Sequence, residues 1–172
     1  MTWYTLLVLA VAVERLAELV VARRNAVRAR ARDGVEHGRG HYPVMVVLHT
    51  GLLAGCLLEP LLADRPFLPA LGWPALALTL LAQALRWWCI TTLGPYWNTR
   101  VIVVPGARLV GAGPYRFLRH PNYVAVVVEG AALPLVHSAW ITATVFTLAD
   151  AVLLTVRIRC ENAALTAHAV PA

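Results

Sequence analysis

Residues 121–156 read PNYVAVVVEGAALPLVHSAWITATVFTLADAVLLTV, an apolar run of 36 residues interrupted by Glu129, Asp150 and the Pro134 to Ser138 region. As one helix the run would reach about 54 Å, against a bilayer hydrocarbon core of roughly 30 Å. It is therefore expected to fold back as a hairpin of two spans, 121–136 and 139–157, turning near Pro134–Ser138. Further apolar runs lie at 2–22, 42–62 and 71–91. Each is near the roughly 20 residues of one membrane-crossing helix. The expected fold is all-α: a polytopic integral membrane protein of about five transmembrane helices, a single domain over residues 1–172.

Composition agrees. Apolar residues make up 59% of the 172 and charged residues only 14%. A soluble domain carries about 25% charged residues, and a disordered chain needs low hydrophobicity. Mean hydropathy is +0.65. All 15 basic residues are Arg, against nine acids, for a net charge of +6. Such a balance can signal nucleic acid, but these Arg residues sit between apolar runs, so no nucleic-acid partner is expected. Three scattered cysteines, Cys56, Cys89 and Cys160, make neither a disulfide framework nor a CxxC zinc site. The first apolar run carries Glu14, Arg15 and Glu18 near its end and lacks a basic leader, so it reads as a retained span.

With five spans, twelve Arg fall on one side: six in a polar loop at 23–41, four in 92–120 and two in the tail from Arg157. Only Arg65 lies opposite. The excess of basic residues on cytoplasmic loops then puts the Arg-rich side in the cytoplasm and the N-terminus outside. The tail is expected to be helical at first.

The chemistry concentrates at that Arg-rich side. The stretch Gly111–Tyr123 (GAGPYRFLRHPNY) combines Gly and Pro with two Arg, one His, one Asn and two Tyr. His120-Pro121-Asn122 can close the loop and start the next helix, with Pro at an early helical position. A single Arg or Tyr there would read as a headgroup anchor; so dense a cluster reads as a site. Asp150, Arg157 and Glu161, spaced by seven and four, share one helical face. They could bind a zwitterion, or Arg157–Glu161 could be an ordinary surface pair. Glu129 and Asp150 are intramembrane acids and hence functional candidates, or buried partners of an Arg. Glu14, Arg15 and Glu18 read as a packing cluster. Trp73, Trp87, Trp88 and Trp97 read mainly as interface belts, with Trp97 a possible pocket wall beside Arg100. No GxGxxG, GxSxG, HExxH, P-loop or metal-ligand spacing occurs, so no metal is expected.

Gly113-Pro114-Tyr115-Arg116, Arg119-His120-Pro121-Asn122-Tyr123 and Arg157-Ile158-Arg159-Cys160-Glu161-Asn162-Ala163-Ala164-Leu165 together resemble the isoprenylcysteine carboxyl methyltransferase family. Its pattern is G-P-Y-R, then R-H-P-x-Y, then R-I-x-x-E-E-x-x-L after a helical hairpin. Asn162 stands here at the second Glu. Glu14-Arg-Leu-Ala-Glu18, Gly40-His-Tyr-Pro43, His49, Trp97-Asn-Thr-Arg-Val-Ile-Val-Val-Pro105 and Glu129 are similar to a short bacterial branch of that family. Members resembling that branch are implicated in O-methylating alkylpyrones and alkylresorcinols made beside type III polyketide synthases.

The resemblance implies a membrane enzyme of the bacterial inner membrane that uses S-adenosylmethionine and acts at the cytoplasmic boundary. Gly113, Pro114, Tyr115, Arg119, His120, Pro121, Tyr123 and Glu161 are the implied donor-binding residues. Arg157, Glu161 and His120 are the implied catalytic ones, with Arg100, Asn122, Glu129 and Trp97 second candidates for the substrate. The expected reaction is O-methylation of a lipophilic acceptor, a phenolic lipid or alkylpyrone, with a possible link to a type III polyketide synthase. Carboxyl methylation of an isoprenylcysteine-like substrate is the alternative. A non-catalytic scaffold that binds membrane lipids through its Arg loops is the rival from another class. A transporter is disfavoured by the lack of an internal repeat.

Overall fold

A computed structural model describes residues 1–168 of the chain. Five long helices carry the fold: α1 (Thr2–Arg30), α2 (His41–Leu62), α3 (Pro69–Leu93), α4 (Pro121–Leu135) and α5 (Trp140–His168). Two three-residue strands, β1 (Val35–His37) and β2 (Val101–Val103), pair antiparallel. The protein is an all-α membrane protein. α2, α5 and the segment Pro69–Tyr96, which includes α3, are long and apolar enough to cross a bilayer. α4 has 15 residues, about 22 Å at 1.5 Å per residue. α1 carries Glu14, Arg15 and Glu18 within its apolar stretch.

Helix boundaries follow local chemistry. Pro69 and Pro121 stand at the first turns of α3 and α4, where the missing N–H is harmless. α3 stops at Gly94, whose φ of +52° suits glycine, and Pro95 follows. The hairpin turn lies at 136–139, between α4 and α5, with Ser138 in the left-handed region at φ +56°. That is where the 36-residue run was expected to break. One expectation changes. Residues 23–30 continue α1 instead of opening a loop, because Ala and Arg are good helix formers and no Gly or Pro precedes Gly34. The tail is helical, as expected, and continues α5 as far as His168; residues 169–172 lie outside the described part. The short ribbon was invisible in the polar loops.

α4 packs against both α3 and α5, α5 against α2, and α1 lies against α2. The α4–α5 crossing is close: a Cβ on Gly130 would fall 2.0 Å from the Phe146 ring. The main apolar core joins Tyr4, Val8, Val11, Leu52, Cys56, Leu133, Val136 and Phe146, toward the hairpin-turn end. There the Tyr4 hydroxyl donates to the Leu133 carbonyl at 3.0 Å. Outside this core α5 exposes Ile141, Val145, Leu148, Val152 and Val156, one helical stripe suited to lipid.

Mid-bundle, charges replace apolar packing. Arg15 donates to Glu18 at 2.9 Å and to Gln83 at 2.6 Å. Arg86 donates to Glu18 at 2.7 Å. The Glu129 carboxylate lies 3.4 Å from Arg15 and 3.8 Å from Arg86. Gln83 and Trp87 donate to Glu14. Three helices are thus joined by one network. Arg86→Met would leave Glu18 and Glu129 facing each other with too few partners. Breaking a buried pair by removing one member costs about 3–5 kcal/mol. Thermal unfolding of detergent-solubilised protein is expected to show a large drop for Arg86→Met and a smaller one for Arg86→Lys; equal stability of Arg86→Met would show that the network does not hold the helices.

Candidate active site

The end of α5 meets the start of α4 at a polar cluster. The Tyr123 hydroxyl donates to Glu161. His120 Nδ1 lies 3.7 Å from the same carboxylate, and His120 Nε2 is 2.9 Å from Asn162 Oδ1. The His120 and Tyr123 rings stack with centroids 5.4 Å apart. His120 is placed by being the residue before Pro121, which excludes helical geometry there and turns the chain into α4. Glu161 and Asn162 come from the last turns of α5, one turn beyond Arg157.

Arg157 is buried. One of its terminal nitrogens donates to the Thr99 carbonyl at 3.0 Å and the other to Met45 Sδ at 3.1 Å. Its guanidinium stands 5.8 Å from the Tyr123 ring centre. Asp150, two turns earlier on α5, is 2% exposed. Among the described residues neither Asp150 oxygen has a hydrogen-bond partner, and Arg157 Nε and Asn122 Oδ1 are also unpartnered. Buried polar groups are normally satisfied, so these four atoms are open to a polar partner.

The turn Gly113–Arg116 seats the loop on α3. Gly113 has φ +56°, and a Cβ there would come within 2.6 Å of Thr92 Oγ1, so no other residue fits without strain. Pro114 is buried; Tyr115 sits beside Cys89. Burial, then the Cys89 thiol, push the Tyr115 hydroxyl above the ordinary phenol value. Arg119 is exposed, and with Leu118, His120, Tyr123, Val127 and Leu154 it lines an open groove of about 370 Å³ between α4 and α5.

Three candidates lie elsewhere. Glu129 belongs to the Arg15–Arg86 network. Trp97 is 2% exposed, packs on Ala22 and Ile90, and does not line a cavity with Arg100. Arg100 reaches Glu36 at 2.7 Å and covers the Tyr42 ring at 4.1 Å. Thr99, the preceding residue, is what brings that loop to Arg157. Thr99 acts through its carbonyl and Met45 through sulfur, so neither carries a motif by which sequence reasoning could find it. Asn162 was legible only as a departure from the family pattern.

A family model for the isoprenylcysteine carboxyl methyltransferase (ICMT) family matches residues 75–167, which include every residue of the His120–Glu161 cluster. The chain belongs to this family. It is also 39% identical over 168 residues to the uncharacterized protein YpbQ of Bacillus subtilis (strain 168), covering 97% of this chain and 99% of that protein. No solved structure matches. ICMT membership makes the protein a membrane-associated methyltransferase, and S-adenosylmethionine is the methyl donor of the family. Glu161, partly exposed beside His120 and Tyr123, is an acid of the kind that suits the positive charge such a donor carries.

Glu36 ties the Arg100 loop down. Burial pushes its carboxyl up, but hydrogen bonds from Arg100 and Arg30 outweigh this and hold it below the ordinary carboxylate value. A depressed folded-state pKa stabilises above the unfolded value, about 4.3, and that stability is lost as pH falls through the folded one. Amide protection at residues 35–37 and 101–103, taken relative to intrinsic exchange at each pH, should therefore fall on acidification below about pH 4, and Glu36→Gln should be poorly protected at neutral pH with a flattened pH dependence. Unchanged protection in Glu36→Gln would rule out the latch.

Proposed function

We propose that the protein is an S-adenosylmethionine-dependent O-methyltransferase whose acceptor is lipophilic, a phenolic lipid or alkylpyrone hydroxyl. The observation that carries this reading is the convergence of Arg157, Glu161, His120 and Tyr123 at one end of the apolar α4–α5 groove. A greasy acceptor can lie along Val127 and Leu154 while its oxygen reaches the polar cluster.

When bound, S-adenosylmethionine supplies an electrophilic methyl group on sulfonium sulfur. Gly113, Pro114, Tyr115, Arg119, Pro121 and Tyr123 shape the wall of the donor pocket. Arg157, already oriented by Thr99 and Met45, holds an anionic oxygen of the acceptor. Such positioning within a water-poor site supplies most of what an in-line displacement requires. A phenol has an ordinary pKa near 10, so a base helps it at neutral pH. His120 and Glu161, in contact with each other, are the groups placed to take that proton. Carboxyl methylation, the chemistry in the family's name, would need no base. The Arg-rich end of the bundle would face the cytoplasm, where the donor is made, and a polyketide synthase of type III would supply the acceptor.

Calorimetry with S-adenosylhomocysteine on purified, detergent-solubilised protein tests the donor. Saturable binding is expected for wild type, about tenfold weaker or more in Arg119→Ala and Glu161→Ala, the equivalent of one lost charge-assisted hydrogen bond. Binding unaffected in both folded variants would remove the cluster from the donor site. For the acceptor, rates on an alkylresorcinol should rise with pH through a base pKa that His120→Ala alters. A flat pH profile with transfer to a prenylcysteine analogue would assign the carboxyl chemistry instead.

A further inference from the structure

A second cavity, of about 450 Å³, opens on the other side of the Thr99–Arg100 loop. That volume lies within the roughly 300–1,000 Å³ of small-molecule sites. α1 forms one wall from Leu19 to Arg30, and Tyr42 and Arg100 form the opposite one. From Leu19 to Arg30 the helix rises about 16 Å. Along that length the lining changes in character. Leu19 and Ala22 are apolar and lie where the apolar stretch of α1 ends; Arg23, Arg30 and Arg100 are cationic and lie beyond it.

The charges are unbalanced. Glu36 pairs with Arg30 at 3.1 Å and with Arg100 at 2.7 Å. Among the described residues no carboxylate lies within ion-pair distance of Arg23. Three guanidiniums therefore face the cavity with a single carboxylate between two of them. Guanidinium groups suit phosphate oxygens through paired hydrogen bonds. The apolar floor below them suits acyl chain, which a soluble phosphate does not have. Leu16 and Val20, beside this floor on α1, are exposed.

We propose that this cavity binds the phosphate headgroup of an anionic phospholipid between Arg23, Arg30 and Arg100, with its acyl chains descending along α1 past Leu19. The assignment does not depend on the methyltransferase reading. It gives the loop that holds Arg157 a lipid contact on its far side, so the bound headgroup braces Arg100 while Thr99 braces Arg157.

Arg24 supplies the control. It is exposed, adjacent to Arg23, and does not line the cavity. Arg23→Glu and Arg24→Glu change net charge equally. Native mass spectrometry of the full chain, released from nanodiscs of mixed phosphatidylglycerol and phosphatidylcholine, should show retained phosphatidylglycerol on wild type. Retention should fall about fivefold or more in Arg23→Glu, the equivalent of one lost headgroup contact, and less than twofold in Arg24→Glu. Equal loss in both variants would mean diffuse attraction to an anionic surface and overturn the site. Equal retention of phosphatidylcholine would overturn its selectivity for anionic headgroups. Displacement of the lipid by millimolar inorganic phosphate would reassign the cavity to soluble phosphates.

Discussion

Charge buried among apolar helices is the constraint on which this structure depends. Glu14, Arg15 and Glu18 on α1, Arg86 on α3 and Glu129 on α4 sit where neither lipid nor apolar packing can solvate them. An isolated ion there is costly. Each guanidinium is therefore held by carboxylates from other helices, and each carboxylate by guanidinium or by Gln83 and Trp87. The hydrophobic effect gives helices within lipid little reason to associate, because lipid is as apolar as their side chains. The polar network gives α1, α3 and α4 a single mutual arrangement.

That arrangement positions the site. With α3 and α4 fixed, the turn Gly113–Arg116 lands on α3 and delivers His120 to the first turn of α4. The short hairpin then returns α5 antiparallel to α4, so the far end of α5 comes back to where α4 began. Residues 42 apart in sequence, His120 and Asn162, meet at 2.9 Å for this reason. α5 is 29 residues long and α4 only 15. The difference lets α5 run past the start of α4 and carry Glu161 and Asn162 onto the loop. The β1–β2 ribbon packs on the same extension through Val101, Val103 and Ala164. It holds the Thr99 carbonyl against Arg157.

The two cavities thus flank one loop-and-helix junction. One side offers a groove that is apolar except at its His120 and Tyr123 end; the other offers guanidiniums above an apolar floor. Arg157 lies between them, held by backbone and by sulfur rather than by a carboxylate. A guanidinium without a neutralising acid in hydrogen-bond contact retains its attraction for an incoming anion.

Much of the architecture was legible without coordinates. The places of the helices follow from the apolar runs set against bilayer thickness, and the hairpin from a run too long for one crossing. Pro121 and Gly94 mark their own boundaries through local backbone preferences. The motifs Arg119–Tyr123 and Arg157–Leu165 carry the family in their residue types alone. Other features depend on contacts between distant segments, which spacing along the chain does not encode. Glu129 and Glu161 are both acids on apolar helices, and the chain alone cannot say that one faces Arg15 and Arg86 while the other meets Tyr123. The ribbon that pairs Glu36 with the Arg100 loop and the role of Thr99 through its carbonyl were decided by tertiary structure. Backbone carbonyls and sulfur atoms are present throughout the chain, and packing alone determines which of them receives a guanidinium.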